Sequence, residues 1–144
     1  MGPLDTNGYW FTSSLFQIEP GEDAEINPGR YGRQLAIWLK KQLGQRGYSV
    51  EPILNEDWGR CLMCSRDPFM LWVGCGNVAD PERLGTHRQD RSVVWHCFVV
   101  AEVPWWRRLF SFSRPDTAAA VAKLDQDLAA ILTGASEINI VEEP

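Results

Sequence analysis

Apolar positions in this chain follow two periods, and the switches between them mark out the elements. From Tyr9 to Ile18 aromatic and β-branched residues dominate, which predicts a strand. The polar run PGEDAEINPG follows, and then Tyr31, Leu35, Trp38, Leu39 and Leu43 recur three and four apart as one stripe of a helix over 28–46. Asn27 is the expected N-cap, Pro28 the first helical residue, and Gly47 the stop. Arg33, Lys40 and Lys41 fall on the other side, a solvated face.

After Tyr48 the segment SVEPILNED is extended, and Pro52 confines it to a sheet edge or a loop. Trp58 to Gly76, WGRCLMCSRDPFMLWVGCG, reads as a hairpin turning at Arg66-Asp67-Pro68. Phe69 to Val73 is apolar at every position, the mark of a central strand buried on both faces. A polar, turn-rich loop spans Asn77 to Arg91, and Ser92 to Ala101 returns to a strand. A connection rich in Trp and Arg leads to a second helix, capped by Asp116 or Thr117, with the row Val121, Leu124, Leu128 and Ile131 and its end at Gly134. Glu137 to Val141 is a last short strand.

The order β-α-β-β-β-α-β with short connections predicts an α+β two-layer sandwich: a mainly antiparallel sheet of about five strands with two helices on one face. Two helices cover one face only. The other face of Phe69–Val73 and Val93–Val100 then needs a cover, which the Trp-rich connection, another protein or a second copy of the chain would supply.

At 144 residues the chain is expected to form a single α+β domain over 1–144. A net charge of −5 argues against a general nucleic-acid binder, whose affinity comes from Lys and Arg on phosphates. The sequence has no apolar run of bilayer length, and MGPLDTNG lacks the basic and apolar regions of a secretory signal, so the expected compartment is the cytoplasm.

The runs PGEDAEINPGRYGRQLAIWL, EDWG and LWVGCGN resemble a family of small single-domain bacterial proteins that carry no assigned activity. The resemblance covers about the first two-thirds of the chain. It implies a stand-alone domain and supplies no catalytic residue.

Several motifs invite chemistry. Gly74-Cys75-Gly76-Asn77-Val78-Ala79 matches the spacing of a dinucleotide fingerprint, but Asp80 to Gly85 holds too short a helix to meet a pyrophosphate. Cys61 and Cys64 are spaced as half a zinc site, with Cys75, Cys97, His87 or His96 as further ligands; residues three apart on a strand point to opposite faces, which opposes it. Cys75 with His87 or His96 is a conceivable thiol–imidazole pair without a family signature. Glu19, Glu22, Asp23 and Glu25, with Glu56 and Asp57, do not follow the spacing of a calcium loop, and a solvated run ahead of the helix explains them. The expectation is buried free thiols, no metal and no cofactor.

Two functional readings remain. The first is a non-enzymatic protein-interaction domain of inhibitor, immunity or adaptor type, binding another protein or forming a dimer. Its surface would be the uncovered sheet face with Trp105, Trp106, Arg107, Arg108, Leu109, Phe110 and Phe112, since Trp and Arg are enriched at binding hot spots. Contact of that segment with a membrane surface ranks behind a protein partner, because the chain is acidic. The alternative is a small enzyme with a cleft containing Cys75, His87, His96 and Asp57.

Overall fold

The computed structural model describes residues 4–5, 7–78, 93–104 and 116–144. Among them seven strands and two α-helices alternate along the chain: β1 (Leu4–Asp5), β2 (Tyr9–Ser13), α1 (Arg33–Gln45), β3 (Leu54–Glu56), β4 (Gly59–Ser65), β5 (Met70–Asn77), β6 (Trp95–Glu102), α2 (Thr117–Thr133) and β7 (Ile138–Val141). The sheet runs β3-β4-β5-β6-β2-β7, with β1 also on β6. Every pairing is antiparallel. Two helices on this open sheet make the expected α+β sandwich, with two more strands than about five. The two-residue β1 is too short to carry an alternation.

The hairpin expected around Arg66-Asp67-Pro68 is β4–β5, and β5 and β6 sit inside the sheet. A bulge between Met63 and Ser65 shifts the register of β4. The segment carrying Pro52 supplies β3, an edge strand, and β7 is the other edge. Only Tyr9–Ser13 of the first apolar run is strand; Phe16 and Ile18 leave the sheet and are buried in the core.

One face of the sheet meets both helices. Leu62, Val73, Val99 and Phe11 pack in one cluster with Leu35, Leu39 and Leu43 of α1 and Leu124, Leu128 and Leu132 of α2. Trp95, 1% exposed, fills the centre, and Phe16 packs edge-on against both Trp95 and Trp38. At the open end of the helices Tyr48 and Lys123 converge on Asp127, tying the end of α1 to α2.

Helix α2 begins as its sequence predicts, with Asp116 at the N-cap and its Oδ1 accepting a hydrogen bond from the Ala119 amide at 3.1 Å. Asp116→Ala should therefore cost about 1 kcal/mol in a urea titration. A change within error would mean that the amides of the first turn are satisfied by water instead.

Helix α1 does not begin as predicted. It starts at Arg33 rather than Pro28, its N-cap is Gly32 at φ +134°, and no side chain at the cap position bonds its amides. Glu22, in a short 3-10 turn (Glu22–Glu25), does so from a distance: Oε1 accepts from the Gly32 and Arg33 amides at 2.7 and 3.1 Å, and Oε2 from the Glu19 amide at 2.6 Å. Asn27 donates instead to the Asp57 carbonyl. The acidic run is thus only partly solvated, since Glu22 is 2% exposed.

Candidate functional site

The register divides the chemically distinctive residues between the two faces. The row Arg60, Cys75, Cys97 and Tyr9 lies on the helix side, and the next row, Gly76, His96 and Trp10, on the opposite side. Cys75 and His96 are therefore separated by the sheet. Burial pushes the Cys75 thiol up to about 12, with Arg60 opposing, so it is held in its un-nucleophilic form. Asp57 is exposed at the β3–β4 turn, and His87 lies outside the described residues. The Cys75–His96 pair is not formed, and a cleft that holds both of them is not assembled, while the Cys75–His87 pairing falls outside the described residues.

The glycines of the apparent dinucleotide fingerprint are inside β5, not in a strand-to-helix turn. They serve close packing. Gly76 adjoins the backbone of Trp58 and Gly59, while a Cβ on Gly59 would stand 2.6 Å from the Cys75 carbonyl. Asn77 accepts from the Tyr31 amide and donates to the Gly29 carbonyl, holding the entry to α1 against the strand end.

Cys64 belongs to the helix-side core and Cys61 to the opposite face, as strand alternation requires. Among the described residues, no three of Cys, His, Asp and Glu are grouped to hold a metal ion. All four cysteines are free and buried.

Arg60 was not legible as a site residue. It is 2% exposed beneath the start of α1, with Nη1 3.7 Å from Glu22 Oε1 and Nη2 3.5 Å from Glu25 Oε2. Nη1 has no hydrogen-bond partner among the described residues. Desolvation lowers the Arg60 pKa, with Glu22 opposing. A lone arginine between Gly59 and Cys61 in a buried strand is the sequence signal for such a pair.

The face away from the helices carries a continuous chain of five rings. Trp10 stacks on His96 with centroids 4.3 Å apart and planes 6° apart, and His96 lies 5.0 Å from Phe98. Phe98 meets Trp58 at 5.4 Å and Trp72 at 6.0 Å, and those two indoles stack at 5.6 Å. His96 Nε2 and the Asn7 carbonyl are 2.8 Å apart, a hydrogen bond in which the ring N–H donates. All five rings keep partial exposure, whereas Cys61, Met63 and Val100 on the same face are 4, 5 and 3% exposed. The face is therefore not bare, and Trp72 is less buried than a strand apolar at every position led one to expect.

Glycine makes this chain of rings possible. Phe98 pairs with Gly74, and a Cβ there would fall 2.4 Å from Phe98 Cζ, so the ring lies directly on the glycine. Gly74→Ala should push Phe98 into Trp58 and Trp72, costing about 1–3 kcal/mol and altering the tryptophan emission. An unchanged spectrum at unchanged stability would show that the ring has room to move.

Of the residues read as an interaction surface, Trp105, Trp106, Arg107, Arg108, Leu109, Phe110 and Phe112 lie outside the described residues. Trp58, Trp72 and His96 stood out in the sequence for other reasons, and Trp10 and Phe98 only as strand residues. His96 and Phe98 stand opposite Gly76 and Gly74 of β5, Trp72 precedes Gly74 by two, Trp10 pairs with His96, and Trp58 joins them from the β3–β4 turn.

None of the described helices is long and apolar enough to cross a membrane. No protein-family model, curated protein or solved structure matches the chain.

Proposed function

We propose that this is a protein-interaction domain and that the sheet face opposite the helices is its association surface. The observation that carries the reading is the five-ring chain from Trp10 to Trp72, partly exposed on a face to which neither helix contributes. Large aromatics carry area and stiffness into an interface at small entropic cost. Four rings set in strands and the fifth, Trp58, in the β3–β4 turn are interlocked by ring contacts and so held in place before a partner arrives, which lowers the cost of ordering them.

The test is Trp10→Ser combined with Trp58→Ser, in a variant checked for unchanged far-UV dichroism. Sedimentation over a range of concentrations and capture from a lysate of the source cells are compared with the parent protein. Loss of a partner, or a fall in mass in solution, is the expected result. If mass and captured set are both unchanged, the rings are internal packing and the reading fails.

A further inference from the structure

We infer that the partner of the aromatic face is cationic: an extended peptide segment whose arginine or lysine side chains lie over Trp10, Trp58 and Trp72. The inference rests on the association reading above and adds the partner's chemistry. It follows from how charge is divided between the two sides of the sheet.

Among the described residues, Arg66 is the basic side chain within electrostatic reach of this face, at Cys61, and Glu51 already neutralises it; the others stand elsewhere. Arg30 and Arg33 stand at the entry to α1, Lys40, Lys41 and Arg46 on or just after that helix, and Lys123 on α2. Arg60 is buried on the helix side, and Arg66, in the β4–β5 turn, is bound to Glu51 at 2.7 Å. Carboxylates are placed differently. Glu56 shares the ring-bearing face through its pairing with Gly59, Asp57 is exposed beside Trp58, and Glu102 lies on that face two positions beyond Val100, itself paired with Trp72. None of the three has an ion-pair partner among the described residues.

An indole face attracts cations through its quadrupole, and a guanidinium lies flat on it while its edge N–H groups reach for acceptors at the rim. Trp58 with Asp57 beside it, and Trp72 near Glu102, provide that combination. A second copy fits less well. Twofold pairing would bring these carboxylates toward their own copies on a chain of net charge −5, a repulsion that a basic partner turns into attraction.

The experiment uses two probes, acetyl-(Arg-Val)3-amide and the same peptide with Gln for each Arg, added to the intact protein while the assigned indole N–H signals are followed by NMR. The arginine peptide should shift Trp10, Trp58 and Trp72 and leave the buried Trp95 in place, with the glutamine peptide roughly tenfold weaker. Glu56→Gln with Glu102→Gln should weaken the arginine peptide several-fold and leave the glutamine peptide unaffected. Equal binding of both peptides would overturn the inference and leave the association reading standing. So would shifts of the same indoles on concentrating the protein alone, the sign of a second copy. If the arginine peptide moves none of the three indoles, the inference is overturned, and the sedimentation and capture comparison decides the association reading separately.

Discussion

Raising the pH from about 8.5 toward about 12 is expected to unfold this protein, because every cysteine is held as a buried, neutral thiol. Burial pushes Cys61, Cys64 and Cys75 up to about 12 and Cys97 well above its ordinary value. In the unfolded chain thiols ionise near pH ~8.5. A folded-state pKa raised above the unfolded one gives stability that is complete below the unfolded value and is lost as pH climbs toward the folded value. Each thiol then removes about 1.4 kcal/mol per pH unit, and four together about 5. Against a total stability of about 5–15 kcal/mol, that places the unfolding midpoint between about pH 9.5 and 11.5. Tyr9, raised to about 12 by burial and by its hydrogen bond to Asp125, steepens the loss above pH ~10. Urea titrations at a series of pH values measure the slope, and Cys97→Ala should reduce it by about a quarter. Stability that stays flat up to about pH 10.5 would mean that the thiols meet solvent.

Glu22→Ala should be the most damaging single change to a charged residue. It removes the acceptor for the Gly32, Arg33 and Glu19 amides and leaves Arg60, 2% exposed, with the half-exposed Glu25 carboxylate 3.5 Å away, which Arg33 shares. Losing the buried partner of Arg60 and three amide bonds to a carboxylate, the capping of α1 among them, should together cost about 3–5 kcal/mol, with Glu25 holding the loss below that of a wholly unpaired charge. Arg60→Met is expected to cost less, about 1–2 kcal/mol, because the Glu22 carboxylate keeps three backbone donors. Chemical denaturation of both variants and the double variant separates the contributions. Equal losses for the two single changes would assign the stability to the ion pair rather than to the amides.

The architecture was readable because it rests on periodicity. Leu35, Leu39 and Leu43 define α1, Leu124 and Leu128 define α2, and the apolar runs around Val73 and Val99 define the central strands, each by a rule of local geometry. The start of α1 was misread because Asn27-Pro28 carries a valid local cap signal, and a carboxylate from a separate turn displaces it. Nothing in the spacing of Glu22 and Arg60 announces that they meet. The aromatic face was half legible: uncovered apolar strands pointed to it, but the stack from Trp10 to Trp72 depends on the register of β2, β6, β5 and β4, which strand patterns do not specify. Cys75 and His96 failed as a pair for the same reason, since one residue of register decides the face.

Strand β2 lies between β6 and β7, with Tyr9 opposite Cys97 and Ser13 opposite Ile138. An early segment is thus completed only by two late ones. On the ribosome, β2 leaves the exit tunnel long before either neighbour exists, and its backbone waits without a ladder while the β4–β5 hairpin can already close. Loop closure over such separations precedes the contacts that reward it, so folding should take milliseconds to seconds rather than microseconds. The order of synthesis makes the join between β2 and β7 the last to zip. A nascent chain stalled before Ile138 would present β2 as an open edge, the species that a chaperone or a neighbouring nascent chain would meet first.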